Sequence, residues 1–239
     1  MDIQPYIEFD KELLLDLNGS DSLFMDSFMW VATSTYIWIP LAVVLLYVIF
    51  KNNSPKGALL TLLAFALVIT LADQIASGFC KPFFERFRPT RDPEIMYLVD
   101  TVNGLRAGRY GFISSHAANT FAVTVFISLL MRNGLLTCIL LIWASLNAFS
   151  RIYLGVHYPG DILFGTLEGC LVGLVVYKLY NFIKKRLLNS SRYISKQYTT
   201  GGYLKTDVQL LVNTFLLTCI VIVIWGIVMI AIQDRKSVV

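Results

Sequence analysis

The sequence is poor in charge. Asp, Glu, Lys and Arg supply 15% of its 239 residues, while 56% are hydrophobic and the mean hydropathy is +0.64. A soluble domain carries about 25% charged residues, so an ordinary soluble fold is excluded, and so is a disordered chain. Histidine is scarcer still, with only His116 and His157. The four cysteines, Cys80, Cys138, Cys170 and Cys219, are scattered singly with no C-x-x-C pair. That excludes a disulfide-stapled fold, and they are read as small buried hydrophobes. No H-E-x-x-H motif and no carboxylate cluster occurs, so no metal or other cofactor is implied. No basic flank precedes the first apolar run, which argues against a cleavable signal peptide. No internal repeat or low-complexity segment is present.

What is abundant is long apolar runs. A membrane helix needs about 20 mostly apolar residues, and six segments qualify: Phe28–Phe50, Gly57–Phe79, Ser115–Met131, Leu135–Ile152, Pro159–Phe182 and Val208–Ile232. Pro40 is expected to kink the first. The runs are continuous and do not alternate, which excludes a β-barrel. The expected fold is an all-α integral membrane protein: one domain over 1–239, with a six-transmembrane helix bundle over 28–232. Met1–Asp26 holds seven of the sixteen acids and one base, Lys11. Tyr6, Phe9, Leu13 and Leu17 recur there at helical spacing, so an amphipathic helix lying on the membrane surface is expected. A tail that is merely acidic is the alternative.

Six spans leave both termini on one side. Opposite them lie Lys51, Lys56, Arg132 and the run from Lys178 to Lys205, which has seven bases and no acid. The terminal side carries as many bases in total. Seven of its ten, however, fall in a motif described next or in the Cys80–Phe112 loop. Setting those aside, the positive-inside rule places the Lys178–Lys205 loop in the cytoplasm and the Cys80–Phe112 loop outside.

Both histidines fall at span ends on that outer face, and their neighbours form three pieces. Lys81 is followed after six residues by Arg88-Pro89. Ser114-Ser115-His116 opens the third span. Ser150-Arg151 is followed after five residues by His157, and after three more by Asp161. Three cations, two histidines, hydroxyls and a carboxylate suit a phosphate ester, whose oxygens need several fixed donors. A helix N-terminus at Ser115 adds backbone N–H groups. Asp161 is placed to fix the His157 tautomer, and His116 to supply a proton.

These pieces resemble the signature of the type 2 phosphatidic acid phosphatases, the lipid phosphate phosphatases, which reads K-x6-R-P, P-S-G-H and S-R-x5-H-x3-D. The first and third match in full. In the second, Ile113 stands for Pro and Ser115 for Gly, with Ser114 and His116 in register. The resemblance implies a metal-independent phosphatase acting on a membrane lipid. His157 would be the nucleophile, oriented by Asp161, and His116 would protonate the leaving alcohol. Lys81, Arg88, Arg151, Ser114 and Ser115 would hold the phosphate. It also implies vanadate binding, since vanadate-dependent haloperoxidases are relatives. Lipid A phosphate or undecaprenyl diphosphate is the favoured substrate, with phosphatidylglycerol phosphate or phosphatidic acid as alternatives. The expected setting is the cytoplasmic (inner) membrane, with the active site facing the periplasm or outside and the protein a monomer or weak dimer. Its partners are the bilayer and its lipid substrate, with no nucleic acid. A six-span transporter and a catalytically dead lipid-binding relative are the competing classes.

Other residues draw plainer expectations. Arg86 and Arg91 read as headgroup anchors. Asp73, with Gln74 beside it, is expected to support Lys81 from below. Glu168 is expected either to line the pocket or to bond a neighbouring helix. Gly165, Gly169 and Gly173 are expected to pack helices inside the chain. Asn103-Gly104 reads as a tight turn in a lid over Thr90–Phe112, whose Arg106 and Arg109 are candidates for contact with the substrate headgroup.

Overall fold

A computed structural model describes residues 3–188 and 196–237; Arg192, in the basic run, lies outside them. The helices are α1 (Gln4–Leu17), α2 (Leu23–Ala32), α3 (Ile39–Asn52), α4 (Pro55–Asp73), α5 (Lys81–Phe84), α6 (Ser115–Met131), α7 (Gly134–Tyr153), α8 (Pro159–Leu187) and α9 (Lys205–Ser237). A π-helical stretch, Gln74–Cys80, joins α4 to α5 without a break. No strand occurs among the described residues. Two isolated bridges do, one of them Phe87 with Tyr110.

Five helical stretches are long and apolar enough to cross a membrane: Thr35–Asn52, Pro55–Phe84, Gly134–Tyr153, Pro159–Leu187 and Lys205–Ile232. At 17 residues α6 is shorter, about 25 Å at 1.5 Å per residue, but it lies at the centre, packed by α4, α7 and α8. The protein is therefore an all-helical, multi-pass membrane protein. Leu63, Leu163, Leu171, Leu217 and Ile224 are more than half exposed, a surface that suits lipid and not water.

Lipid is as apolar as a leucine side chain, so close packing has to hold the helices together. The α8 glycines supply it. A Cβ on Gly165, Gly169 or Gly173 would meet the carbonyl oxygens of Ser114, Ala118 and Ala122 at 2.6, 2.2 and 2.5 Å. The stripe is used inside the chain, against α6, as the sequence led one to expect.

The first apolar run differs from expectation. It breaks at Thr33–Trp38, between α2 and α3, and not at Pro40. Pro40 sits in the first turn of α3, where its missing N–H costs nothing. The break is bridged by Trp38 Nε1, which donates to Ala32 O at 2.9 Å. The expected surface segment over residues 1–26 is likewise two helices: α1 ends at Leu17, and α2 begins at Leu23.

The bundle has two polar ends. One gathers α1, the ends of α5 and α7, and the starts of α6 and α8. The other gathers the α3–α4 turn, Arg132 at the end of α6, and the start of α9. There Lys51 and Asn52 bond Asp207 at 2.7 and 2.8 Å, and Arg132 donates to Tyr177 Oη at 3.1 Å.

Candidate active site

The three sequence pieces meet at the first of these ends. His157 lies in the short loop between α7 and α8 and is 1% exposed. Its Nδ1 is 3.2 Å from Asp161 Oδ2, and its Nε2 is 2.9 Å from Arg88 Nη1. A guanidinium can only donate, so Nε2 accepts and the ring proton is on Nδ1, facing Asp161. The lone pair of the imidazole thus accepts the Arg88 N–H. Burial, then the nearby Arg88, Arg151 and Lys81 charges, hold the His157 pKa well below its usual value. A ring that accepts from a guanidinium is in its neutral form.

Asp161 does two jobs because of where it falls in α8. As the third residue of the helix, it accepts the Tyr158 N–H at 3.1 Å with the same Oδ2 that faces His157. Its other oxygen accepts from Arg86 Nη1 at 3.0 Å. The helix start and the His157 tautomer are therefore set by one fully buried carboxylate.

The cations surround this pair. Arg88, 9% exposed, also donates from Nε to Tyr110 O and from Nη1 to Val156 O. Lys81 Nζ donates to Ser77 Oγ at 2.8 Å and to Ser115 Oγ at 2.9 Å. Ser77 in turn donates to Asp73 Oδ1 at 3.3 Å. Asp73, at the end of α4, thus supports Lys81, at the start of α5, through Ser77 in the π-helical stretch between them. Arg151, 8% exposed, donates from Nη1 to Thr33 Oγ1 at 3.1 Å, while its buried Nε has no partner. The chain break at Thr33 is what brings that hydroxyl to Arg151. An unpaired buried guanidinium N–H is costly, and a phosphate oxygen would satisfy it.

Ser114 caps α6, its Oγ accepting from Ala117 N at 3.4 Å, and its own N–H bonds Asp161 O at 3.0 Å. His116 is exposed at the start of α6, within electrostatic reach of Arg151, His157, Lys81 and Arg88. Its ring makes no hydrogen bond among the described residues.

The long loop between α5 and α6 also bears on the site. Asn103 and Gly104 form the expected tight turn, both at positive φ. Gly111 packs directly on the site: a Cβ there would lie 3.2 Å from Asp161 Oδ2 and 3.6 Å from His157 Nδ1. Arg109 stacks on Phe87 and Tyr110, and with Arg91 and Phe87 it lines a cavity of about 310 Å³. Arg106 is exposed. On the lipid side, Glu168 lines a second cavity of about 330 Å³ with Cys80, Phe112, Phe164, Leu167 and Leu171. Its carboxylate oxygens are buried and unpartnered, so it bonds no neighbouring helix.

Arg86 corrects the sequence reading. It is not a headgroup anchor but a bridge between Asp161 and Asp10 of α1. One signal was available: side chains alternate in an extended segment, so Arg86 faces the same way as Arg88. For Asp10, Thr33 and Gly111 nothing local marked the role.

Fold and site together define a membrane-embedded helical protein that presents several cations to an Asp-oriented histidine. The family profile of the PAP2 superfamily matches residues 61–185. A lipid A 4'-phosphatase of Bacteroides thetaiotaomicron is 39% identical over 92% of this chain and 96% of that protein. A lipid A 4'-phosphatase of Porphyromonas gingivalis is 37% identical over 77% of this chain and 78% of that one. Among solved structures, LpxE of Aquifex aeolicus superposes with a TM-score of 0.52 at 26% identity, covering 70% of this chain and 93% of that one. A phosphatidylglycerolphosphate phosphatase of Bacillus subtilis shares the fold, with a TM-score of 0.53 at 21% identity over 79% and 89% of the two chains. The chain belongs to the PAP2 superfamily.

Proposed function

We propose that this protein is a lipid phosphatase that removes the 4'-phosphate of lipid A without a metal ion. One observation carries the phosphatase reading. Lys81, Arg88 and Arg151 converge on a neutral histidine, with a single carboxylate among them and a buried Arg151 Nε left unbonded. An anion completes that set. The 4'-phosphate is favoured by the two relatives of that name, which align over most of their own lengths.

In the first step His157 Nε2 attacks phosphorus, and the bond to the sugar oxygen breaks. His116 gives its proton to that oxygen, which leaves as the alcohol. Lys81, Arg88 and Arg151 hold the phosphoryl oxygens, with Ser114 and the amides at the start of α6 helping. Ser115 keeps Lys81 in place. Asp161 stabilises the positive charge that develops on His157. In the second step water attacks the phosphohistidine and its proton returns to His116. The P–N bond breaks, and phosphate leaves.

The protein acts as a single membrane domain in the cytoplasmic membrane. The site end faces outward and the basic end inward, as the Lys178–Lys205 charges favour. It works as a monomer, since its glycine stripe is occupied by α6. Arg109, with Arg91 and Phe87, offers a cavity beside Arg88 to the second phosphate of the headgroup.

The test is phosphate release by purified protein, with EDTA present, from lipid A, undecaprenyl diphosphate, phosphatidylglycerol phosphate and phosphatidic acid. Release from lipid A at the 4' position, absent in His157→Ala, is expected. Release from another lipid alone would reassign the substrate. Silence on all four from folded protein, or loss with EDTA, would overturn the reading.

A further inference from the structure

We propose that Arg86, held by Asp10 of α1, is a positioning residue for Asp161, and that the N-terminal surface helix is thereby a working part of the catalytic site. The inference rests on the reading of His157 as nucleophile and Asp161 as its orienting group.

The geometry runs inward from the surface. Asp161 is fully buried and shares its oxygens among three donors. Oδ2 faces His157 Nδ1 and the Tyr158 N–H, which leaves Oδ1 to Arg86 alone. A buried carboxylate with an open lone pair is unstable, and Arg86 is the donor that fills the one on Oδ1 and fixes where it points. Arg86 is itself fixed on three sides. Nη1 reaches Asp161 at 3.0 Å, Nη2 reaches Asp10 Oδ2 at 2.7 Å, and the guanidinium lies 4.0 Å from the centre of the Tyr158 ring. Asp10 is anchored in turn, its Oδ1 accepting the Gly160 N–H at 2.7 Å. That places a carboxylate at the start of α8, where the helix dipole favours it.

Helix α1 is held firmly enough to serve. Leu14 is fully buried against Ile95, Val99, Ile152 and Tyr158. Lys11 pairs with Asp92 at 3.2 Å and with Glu94, and Asp92 accepts the Tyr158 hydroxyl at 2.8 Å. Asn18 and Gly19 bond Tyr153 O at 2.8 and 3.0 Å. Tyr158 is therefore gripped at its hydroxyl by Asp92, which Lys11 of α1 holds, and at its ring by Arg86, one residue from the nucleophile.

Removing Arg86 frees Oδ1, and the carboxylate loses its fixed angle to His157. Removing Asp10 leaves the Arg86–Asp161 bond but takes away its backing. The effects should therefore be graded and coupled. In full-length protein in lipid nanodiscs, Arg86→Ala should lower kcat by about 10- to 100-fold with KM nearly constant. Asp10→Asn should lower it by roughly tenfold or less, and the double variant should be no slower than Arg86→Ala, since both break one chain of contacts. Added guanidinium should restore part of the Arg86→Ala rate, and Arg86→Lys should retain more than Ala does.

A second readout needs no substrate. The chain has two histidines, so NMR of nitrogen-labelled histidine shows two rings, and His116→Ala assigns them. Arg86→Ala should shift the His157 ring nitrogens away from the Nδ1–H form and leave His116 in place. An unmoved His157 signal, independent losses from the two sites, or a change in KM alone would overturn the proposal. If the wild type releases no phosphate while the His157 signal still moves, the function reading fails and the positioning role stands.

Discussion

The two polar ends of the bundle both hold buried charge and come to opposite results. At the end near α9, charges and amides close on one another. Asp207, 4% exposed, takes Lys51 and the Asn52 side-chain amide; Asn52 Oδ1 accepts Leu204 N; and Thr61 and Tyr180 share a hydroxyl contact at 3.1 Å. At the site end, three motif cations gather around two histidines, and the one motif carboxylate is committed to His157, Tyr158 and Arg86. A buried Arg151 Nε is left over. Satisfied polar groups make an end structural. A surplus of aimed donors makes it a receptor for an anion.

That contrast can be broken in order of effect. His157→Ala should abolish phosphate release while the protein still folds, read as turnover against a thermal unfolding curve. Arg151→Ala should cost about 100- to 1,000-fold in kcat, since it removes a donor with little other duty; Arg151→Lys should recover only part, lacking the planar fork. The pH profile sharpens the point. His157 has a pKa held below its usual 6.5, so it stays neutral as pH falls through 6.5. Initial rates should therefore show no acid limb from the nucleophile until well below that pH. Arg91→Ala combined with Arg109→Ala should raise KM several-fold for lipid A bearing both phosphates and leave the singly phosphorylated form unchanged, as paired kinetics would reveal. At the far end, Asp207→Asn should lower the melting temperature by a few degrees and leave kcat unaltered; a fall in kcat there would dissolve the distinction between the ends.

Much of this was legible in the chain. The spans could be read because crossing a membrane demands only a run of apolar residues, a property of composition. The glycine stripe could be read because spacing by four residues puts small side chains on one helix face. That the three motif pieces belong together could be read because each lies within a dozen residues whose spacing follows from local geometry. The break at Thr33–Trp38 was not legible, since Pro40 is the louder local signal and the break serves a residue on another helix. Arg86 was misread for the same reason: its charge is local, but its partners are not.

The amino-acid sequence by itself determined that this is a membrane-spanning helical protein with two histidines set among phosphate-type cations. Apolar length, helical period and short-range spacing are written along the chain. Only the tertiary structure decided which cations are spoken for and which are open, and that α1 reaches, through Arg86, the carboxylate of Asp161. Asp10 meets Arg86, and Arg86 meets Asp161, across separations in sequence of 76 and 75 residues. No periodicity encodes a contact at that range; it exists only once the helices have packed.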